Sequence, residues 1–327
     1  MVQRTIPHRV ALLGVALAIG AAAPAQAWQA SDGASAIAYS RDGNRIVDGG
    51  SSTTIHVRDA DSGAVVSEIR TKSGTNGVAF SNDGATVAAG RTNGSSSNLQ
   101  IFRVADGVRV LLLSGHSNAT RSVAFSSTGT MLASGGDDRT AKLWRVSDGA
   151  LLRTFANGSD VRSIALTSDD VTLATGDEAG RVRLWRVSDG TLVRTLTGFA
   201  GLVTQVAFSP DRTLVAASSL DGTLRLWHVS DGTLVRTLRL PASTPNGNVT
   251  ALAFHPSGAL LVTGNDEVTP APEHGTLRFY RVSDGTSQGV ISQQTGVFVG
   301  AVAFSPTGDA LAYTRGVDGV LTVVPFQ

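Results

Sequence analysis

His116 and Asp138 are the pair in this 327-residue chain that most resembles working chemistry. An imidazole held by a carboxylate is half of a hydrolytic triad: the acid fixes the tautomer, and the imidazole takes a proton from a nucleophile. A second group is acidic. Asp266, Glu267, Glu273 and His274 fall within one stretch from Asn265 to Gly275 (NDEVTPAPEHG), in a chain whose formal charge is only +1. A third set alternates in sign, with Arg121 and Arg162 each followed by an acid, Asp137 and Glu178, at corresponding places. Other chemistries are excluded more directly. The chain has no cysteine, so it has no disulfide and no thiol nucleophile. It also lacks a Gly-rich phosphate loop and a His-x-x-x-His zinc pair. No metal or cofactor is expected, because His56, His116, His228, His255 and His274 are spread over four repeats.

Residues 1–27 read as a targeting segment and not as part of the fold. Arg4 and Arg9 flank a basic start, Val10 to Ala23 is almost wholly apolar, and Ala25-Gln26-Ala27 is a small-x-small cleavage site, the order of a secretory signal peptide. Its apolar run is short of the roughly 20 residues of a membrane span, and no later stretch qualifies. The expectation is therefore an exported, monomeric chain from Trp28 onward, periplasmic or extracellular. Losing Arg4 and Arg9 leaves 26 acids against one fewer bases, a formal charge of −1 that gives no general attraction to nucleic acid or anionic lipid.

The elements that must position these residues are announced by repetition. LWRVSDGTLVRTL from Leu184 recurs as LWRVSDGALLRTF from Leu143 and LWHVSDGTLVRTL from Leu226, with weaker copies FYRVSDG from Phe279, IFRVADG from Ile101 and VRDADSG from Val57. Each copy predicts two strands joined by a hairpin, since Asp-Gly supplies the residue that accepts positive φ. Upstream of each hairpin lies a phrase such as VAFSPDR at Val206 or VAFSPTG at Val302, seven in all. Their anchor positions (Tyr39, Phe80, Phe125, Leu166, Phe208, Phe254, Phe304) are separated by 41, 45, 41, 42, 46 and 50 residues. A period of that length suits one four-stranded propeller blade per repeat. In the fifth repeat the strands are expected around Val206–Phe208 (a), over Leu214–Ser218 (b), Thr223–Val229 (c) and Leu234–Leu238 (d).

These phrases resemble the WD-repeat (tryptophan-aspartate repeat) β-propeller family, of a secreted bacterial type, over residues 28–327. The resemblance implies an all-β, seven-bladed propeller of four-stranded antiparallel blades. It also implies a buried hydrogen-bonded group in each repeat, made by a His before strand a, a Ser or Thr on strand b, an Asp in the b–c turn and the strand c Trp. Only the third repeat carries all four, as His116, Ser134, Asp138 and Trp144. The fourth has Asn157, Thr175, Ala179 and Trp185, and the fifth Phe199, Ala217, Asp221 and Trp227. His116 and Asp138 are thus expected to be structural and not catalytic, since buried polar groups are kept where they are satisfied.

The seventh repeat ends without its own strand d, which such propellers borrow from the N-terminus. Counting back by the usual spacing puts the borrowed strand at 23–27, inside the leader, so an incomplete last blade with at most a stub around Trp28 is expected. Enlarged b–c loops at Arg91–Asn98 and Asn265–Gly275, and the long connection Leu240–Asn248, are the places where recognition would sit. The resemblance implies a non-enzymatic scaffold that binds protein or peptide partners on its top face, through Arg121, Asp137, Arg162, Glu178, Asp266, Glu267, Glu273 and His274. The alternative is a propeller enzyme of lyase, lactonase or quinone-dependent dehydrogenase type with its site over the central channel.

Overall fold

The computed structural model describes residues 27–92, 99–240, 247–267, 274–295, 298–315 and 319–327, and every regular element among them is a β-strand. The strands form seven antiparallel four-stranded sheets arranged in a ring, a seven-bladed propeller. The fifth blade runs Val203–Phe208, Leu214–Ser219, Thr223–His228 and Leu234–Arg239, close to the expected strands. A single blade buries neither face, and the core accordingly consists of seven apolar clusters, each shared by two neighbouring blades. Leu143 and Phe155 of blade 3, for instance, pack with Ile164, Leu173 and Trp185 of blade 4.

The Asp-Gly turns have a second reason to be glycine. Gly149, Gly190 and Gly232 take φ of 74°, 79° and 77°, as the turn demands. A side chain at Gly190 would also meet Arg153 Cδ at 3.0 Å. Arg153 lies on strand d of blade 3, and its guanidinium donates to the Ser188 carbonyl in the turn of blade 4. Arg194 repeats the contact on Ser230, and Arg236 on Ser283 and Asp284. The repeated Arg-Thr of the sequence is therefore an outer clasp that ties each of blades 3 to 5 to the next.

Two sequence expectations need correction. The last blade is closed by a fourth strand, Trp28–Ser31, whose residues pair with Val323, Thr322, Leu321 and Val320. This strand falls later than 23–27 because only Asp32 and Gly33 separate it from the inner strand of blade 1, Ala34–Tyr39, and Gly33 turns the chain at φ 72°. Counting by the other repeats assumed a longer connection. Trp28 stands opposite Val323 as Arg153 stands opposite Leu143, and it makes the equivalent clasp, donating from Nε1 to the Ala60 carbonyl of blade 1 at 2.8 Å and packing on Gly63. The other correction concerns blade 6. There Leu260–Glu267 and His274–Arg281 form a continuous ladder, with Asp266 opposite Gly275 and Glu267 opposite His274, where a loop was expected. Glu273, residues 93–98 and 241–246, and leader residues 1–26 lie outside the described residues.

Candidate functional site

The inner strands decide what faces the central channel. Each carries a β-bulge at the same place, which takes Ser35, Asn76, Arg121, Arg162, Thr204, Thr250 and Gly300 out of the ladder. A bulge re-aims a side chain and frees it from pairing. Five of these residues, with Leu202, line a depression of about 380 Å³ at the channel mouth on the d–a and b–c side. One position further along, the side chains serve the neighbouring blade: Ser122 Oγ accepts from Ile164 N, Ser163 Oγ from Val206 N, and the Gln205 side-chain carbonyl from Leu252 N. These bonds satisfy inner-edge amides that have no strand to pair with.

The mouth is uneven in charge. Among the described residues only blades 3 and 4 place arginines at the bulge, and both are held by the acid sixteen residues on, just past the same blade's second strand. Arg121 Nε donates to both Asp137 oxygens at 2.8 and 2.9 Å, and Arg162 pairs with Glu178. The four residues expected to alternate around the rim are thus brought together as two ion pairs, neither fully buried. Asp160 adds a third carboxylate nearby, and burial together with the charges of Glu178 and Asp137 pushes its carboxyl above the usual range. Asp266, Glu267 and His274 lie on the ladder of blade 6, a different blade from these pairs.

His116 and Asp138 sit apart from this mouth. His116 Nδ1 lies 2.9 Å from Asp138, its Nε2 lies 2.7 Å from Ser134 Oγ, and Trp144 Nε1 donates to that same hydroxyl at 2.8 Å. Ser134 is fully buried and Trp144 1% exposed, so no substrate carbonyl reaches the hydroxyl. The group is a stitch between blades 2 and 3. Blade 4 contains a working counterpart that the sequence conceals: Trp185 donates to Thr175, Thr175 to Asn157, and the Asn157 amide to Asp177. The acid comes from the last residue of strand b, two places before the Ala179 that alignment puts there. Asp177 is fully buried, and Arg181 and Arg183 neutralise it at 3.1 and 2.6 Å. Blade 5 replaces the His and the hydroxyl by apolar contact, with Phe199 edge-on to Trp227 and Arg225 above the Phe199 ring, while Asp221 still accepts from Ala200 N at 2.8 Å.

In blade 1 the same location is ionic. Asp32, Asp48 and His56 offer ligand atoms within 4.8 Å of one another, a grouping that could hold a metal. Arg58, which stands where other repeats have Trp, enters the group instead, with Nε 2.8 Å from Asp48 and a terminal nitrogen on Asp32. A guanidinium between the two carboxylates occupies an oxygen of each and cancels one of their two charges, so the chemistry of the set is that of an ion-pair latch. It fastens the link between the closing strand and blade 1. His56 belongs to it: its hydrogen bond to Asp48 raises the imidazole pKa, against a smaller opposing effect of burial. A group raised on folding contributes stability below its unfolded pKa, about 6.5, and loses it as pH rises through the folded value. The melting temperature of the native chain should therefore exceed that of His56→Gln at pH 5.5, and the gap should shrink above neutrality. A gap independent of pH would show that the imidazolium takes no part.

With this geometry in place, comparison with known proteins gives a consistent result. The model for "WD domain, G-beta repeat" matches residues 107–145, 149–186, 190–228 and 232–279, half of the chain. Each matched segment begins at the end of a c–d turn, just before a strand d, and runs into the next blade's strand c, the offset that borrowing Trp28–Ser31 requires. The chain is 38% identical over 81 residues to an uncharacterized WD repeat-containing protein of Synechocystis sp. (strain ATCC 27184 / PCC 6803 / Kazusa), covering 24% of this chain and 22% of that protein. It is 39% identical over 75 residues to the WD repeat-containing protein SL1-17 of Schistosoma mansoni, covering 23% and 24%. The match spans less than a quarter of either relative.

Proposed function

Since the chain belongs to the WD domain, G-beta repeat family, whose propellers commonly mediate protein interactions, we propose that it is an exported, non-enzymatic scaffold that binds a protein or peptide over the channel mouth. The observation that carries this reading is the bulge ring. It presents unladdered polar side chains around a preformed depression, and it concentrates charge in the blade 3 and 4 sector through Arg121, Asp137, Arg162 and Glu178. Groups already fixed in position lose little freedom when a partner arrives, so the face is preorganised for binding. Paired charges of both signs recognise by orientation more than by strength, as electrostatic complementarity does elsewhere. Export rests on the leader pattern of residues 1–27.

Affinity capture from the exported fraction tests the reading. The tagged chain should retain a discrete partner that is lost, by about tenfold or more, when Arg162 and Glu178 are both replaced by alanine. With side chains 28% and 37% exposed the pair is not part of the core, so the double variant keeps its fold. Unchanged capture by that variant would remove the channel mouth from the mechanism, and recovery of the chain only from the cytosolic fraction would overturn export.

A further inference from the structure

Arg225, on the third strand of blade 5, is a half-buried guanidinium with no hydrogen-bond acceptor and no ion pair among the described residues. It lies over the Phe199 ring instead, with Cζ 5.3 Å from the centroid. Arg183 occupies the equivalent position in blade 4, opposite Thr175 as Arg225 is opposite Ala217, and there it meets the buried Asp177 at 2.6 Å. In blade 5 the residue in the place of Asp177 is Ser219, so the carboxylate is missing while the cation is kept. The clasp arginines Arg153, Arg194 and Arg236 are unlike it, since each donates from a terminal nitrogen to a carbonyl of the next blade. Gly198 leaves room for the side chain: its φ is 127°, and a Cβ there would lie 2.9 Å from Arg225 Cζ.

A second cation stands beside it. Arg239, on the edge strand of blade 5, pairs with Thr223 while Arg225 pairs with Thr237, so the two arginines share one face of the sheet as diagonal neighbours. Arg239 is exposed and likewise forms no ion pair among the described residues. The flanking connections, TGFAGL at 197–202 and LPASTPNG at 240–247, carry no charged residue. Asp221, the acid of the blade's b–c turn, spends its oxygens on Ala200 N at 2.8 Å, Thr223 N at 3.0 Å and Thr223 Oγ at 2.6 Å. Two guanidiniums therefore stand against one carboxylate that is already engaged, and stacking on Phe199 holds the Arg225 fork in place for an incoming acceptor. From this unmatched pair we infer that the outer corner of the joint between blades 4 and 5 binds an acidic peptide segment of a partner protein, with carboxylates on residues i and i+2 of an extended strand. Diagonal cross-strand neighbours lie about 7–8 Å apart and alternate side chains of an extended peptide about 6.8 Å apart, so the two spacings match. One carboxylate takes the Arg225 fork in bidentate fashion, and the other meets Arg239. The corner shares no residue with the channel-mouth depression.

Arg225 itself gives the test its reporter. Its Nε–Hε signal in the ¹⁵N-labelled chain, assigned by its loss in Arg225→Gln, is followed while acetyl-Glu-Ala-Glu-amide is added. A saturable shift is expected, with acetyl-Gln-Ala-Gln-amide binding about tenfold or more weakly and Arg239→Gln weakening the acidic peptide about threefold or more. Arg239 is exposed, so Arg239→Gln should keep the native unfolding midpoint. The double alanine variant at Arg162 and Glu178 should bind the peptide as the native chain does, which separates this corner from the mouth. No saturable shift, an equal response to the Gln peptide, an undiminished response in Arg239→Gln, or loss of the response in the double variant would each overturn the proposal.

Discussion

Trp144→Ala is expected to lower the unfolding free energy by about 3–5 kcal/mol, the range for truncating a fully buried aromatic. Trp144 is 1% exposed between blades 2 and 3, so its removal leaves a cavity that two packed sheets cannot close. A second loss comes on top. The indole N–H is what the Ser134 hydroxyl accepts, and that hydroxyl meets His116, which in turn meets Asp138. Trp144→Phe separates the two effects: it keeps most of the volume and removes only the donor, leaving a buried lone pair unsatisfied at a cost of about 1–3 kcal/mol. Trp227→Phe should cost less, because strand b there offers Ala217, which has no hydroxyl to hold, and the ring contact with Phe199 survives. Urea titration of the three variants measures the differences, and equal losses for the two Phe variants would show that the hydrogen-bonded stitch adds nothing.

The acid limb of stability reports on the same group. Burial pushes the Asp138 carboxyl up, but hydrogen bonds from His116, the charge on that imidazole, and donors on Thr140 and Ser117 more than offset it and hold the pKa at about 2. A depressed carboxyl stabilises fully above its unfolded pKa, 3.8, and the contribution is lost as pH falls toward about 2. The native chain should therefore lose its advantage over Asp138→Asn between those two values.

The other large effect lies at the ring's joint. Deleting residues 28–31 should make those amides of residues 320–323 that point to it exchange with solvent about a hundredfold faster or more, because their strand becomes an edge paired only with Ala310–Arg315. The deletion also removes the Trp28 clasp on Ala60 and shifts Asp32, which anchors Arg58. Trp28→Ala alone should give a smaller acceleration, since the ladder itself remains. Hydrogen exchange read by mass spectrometry checks both. Protection unchanged by the deletion would mean that the last blade holds together as three strands and that the borrowed strand is ornamental.

Why some of this was legible and some was not follows from how far apart the partners lie. Strand period, Asp-Gly turns and the apolar inner phrase are local, so the blade count and the strands of the fifth repeat can be read directly. The clasp cannot: Arg153 and Ser188 are 35 residues apart, and their contact exists only once two blades stack. Asp177 escaped because alignment searches a turn position, while space accepts a carboxylate from any neighbouring residue that reaches Asn157. Asp266, Glu267 and His274 read as loop because Asn, Asp and Pro cluster there, yet the ladder continues through them, an instance of pairing overriding propensity. At the channel mouth the sequence shows only charges alternating in sign. That they are two ion pairs depends on the bulges, which leave no mark on composition.

Because Trp28 and Val323 face each other in one sheet, the two ends of the fold meet in a single blade. The seam is therefore a matter of connectivity rather than of contacts. A short linker from the C-terminus to Trp28, with new ends cut in a turn between two other blades, should give a circularly permuted wheel with the same contacts. Such a permutant would place a reporter or a membrane tether at any chosen spoke while leaving the contacts of the other blades in place.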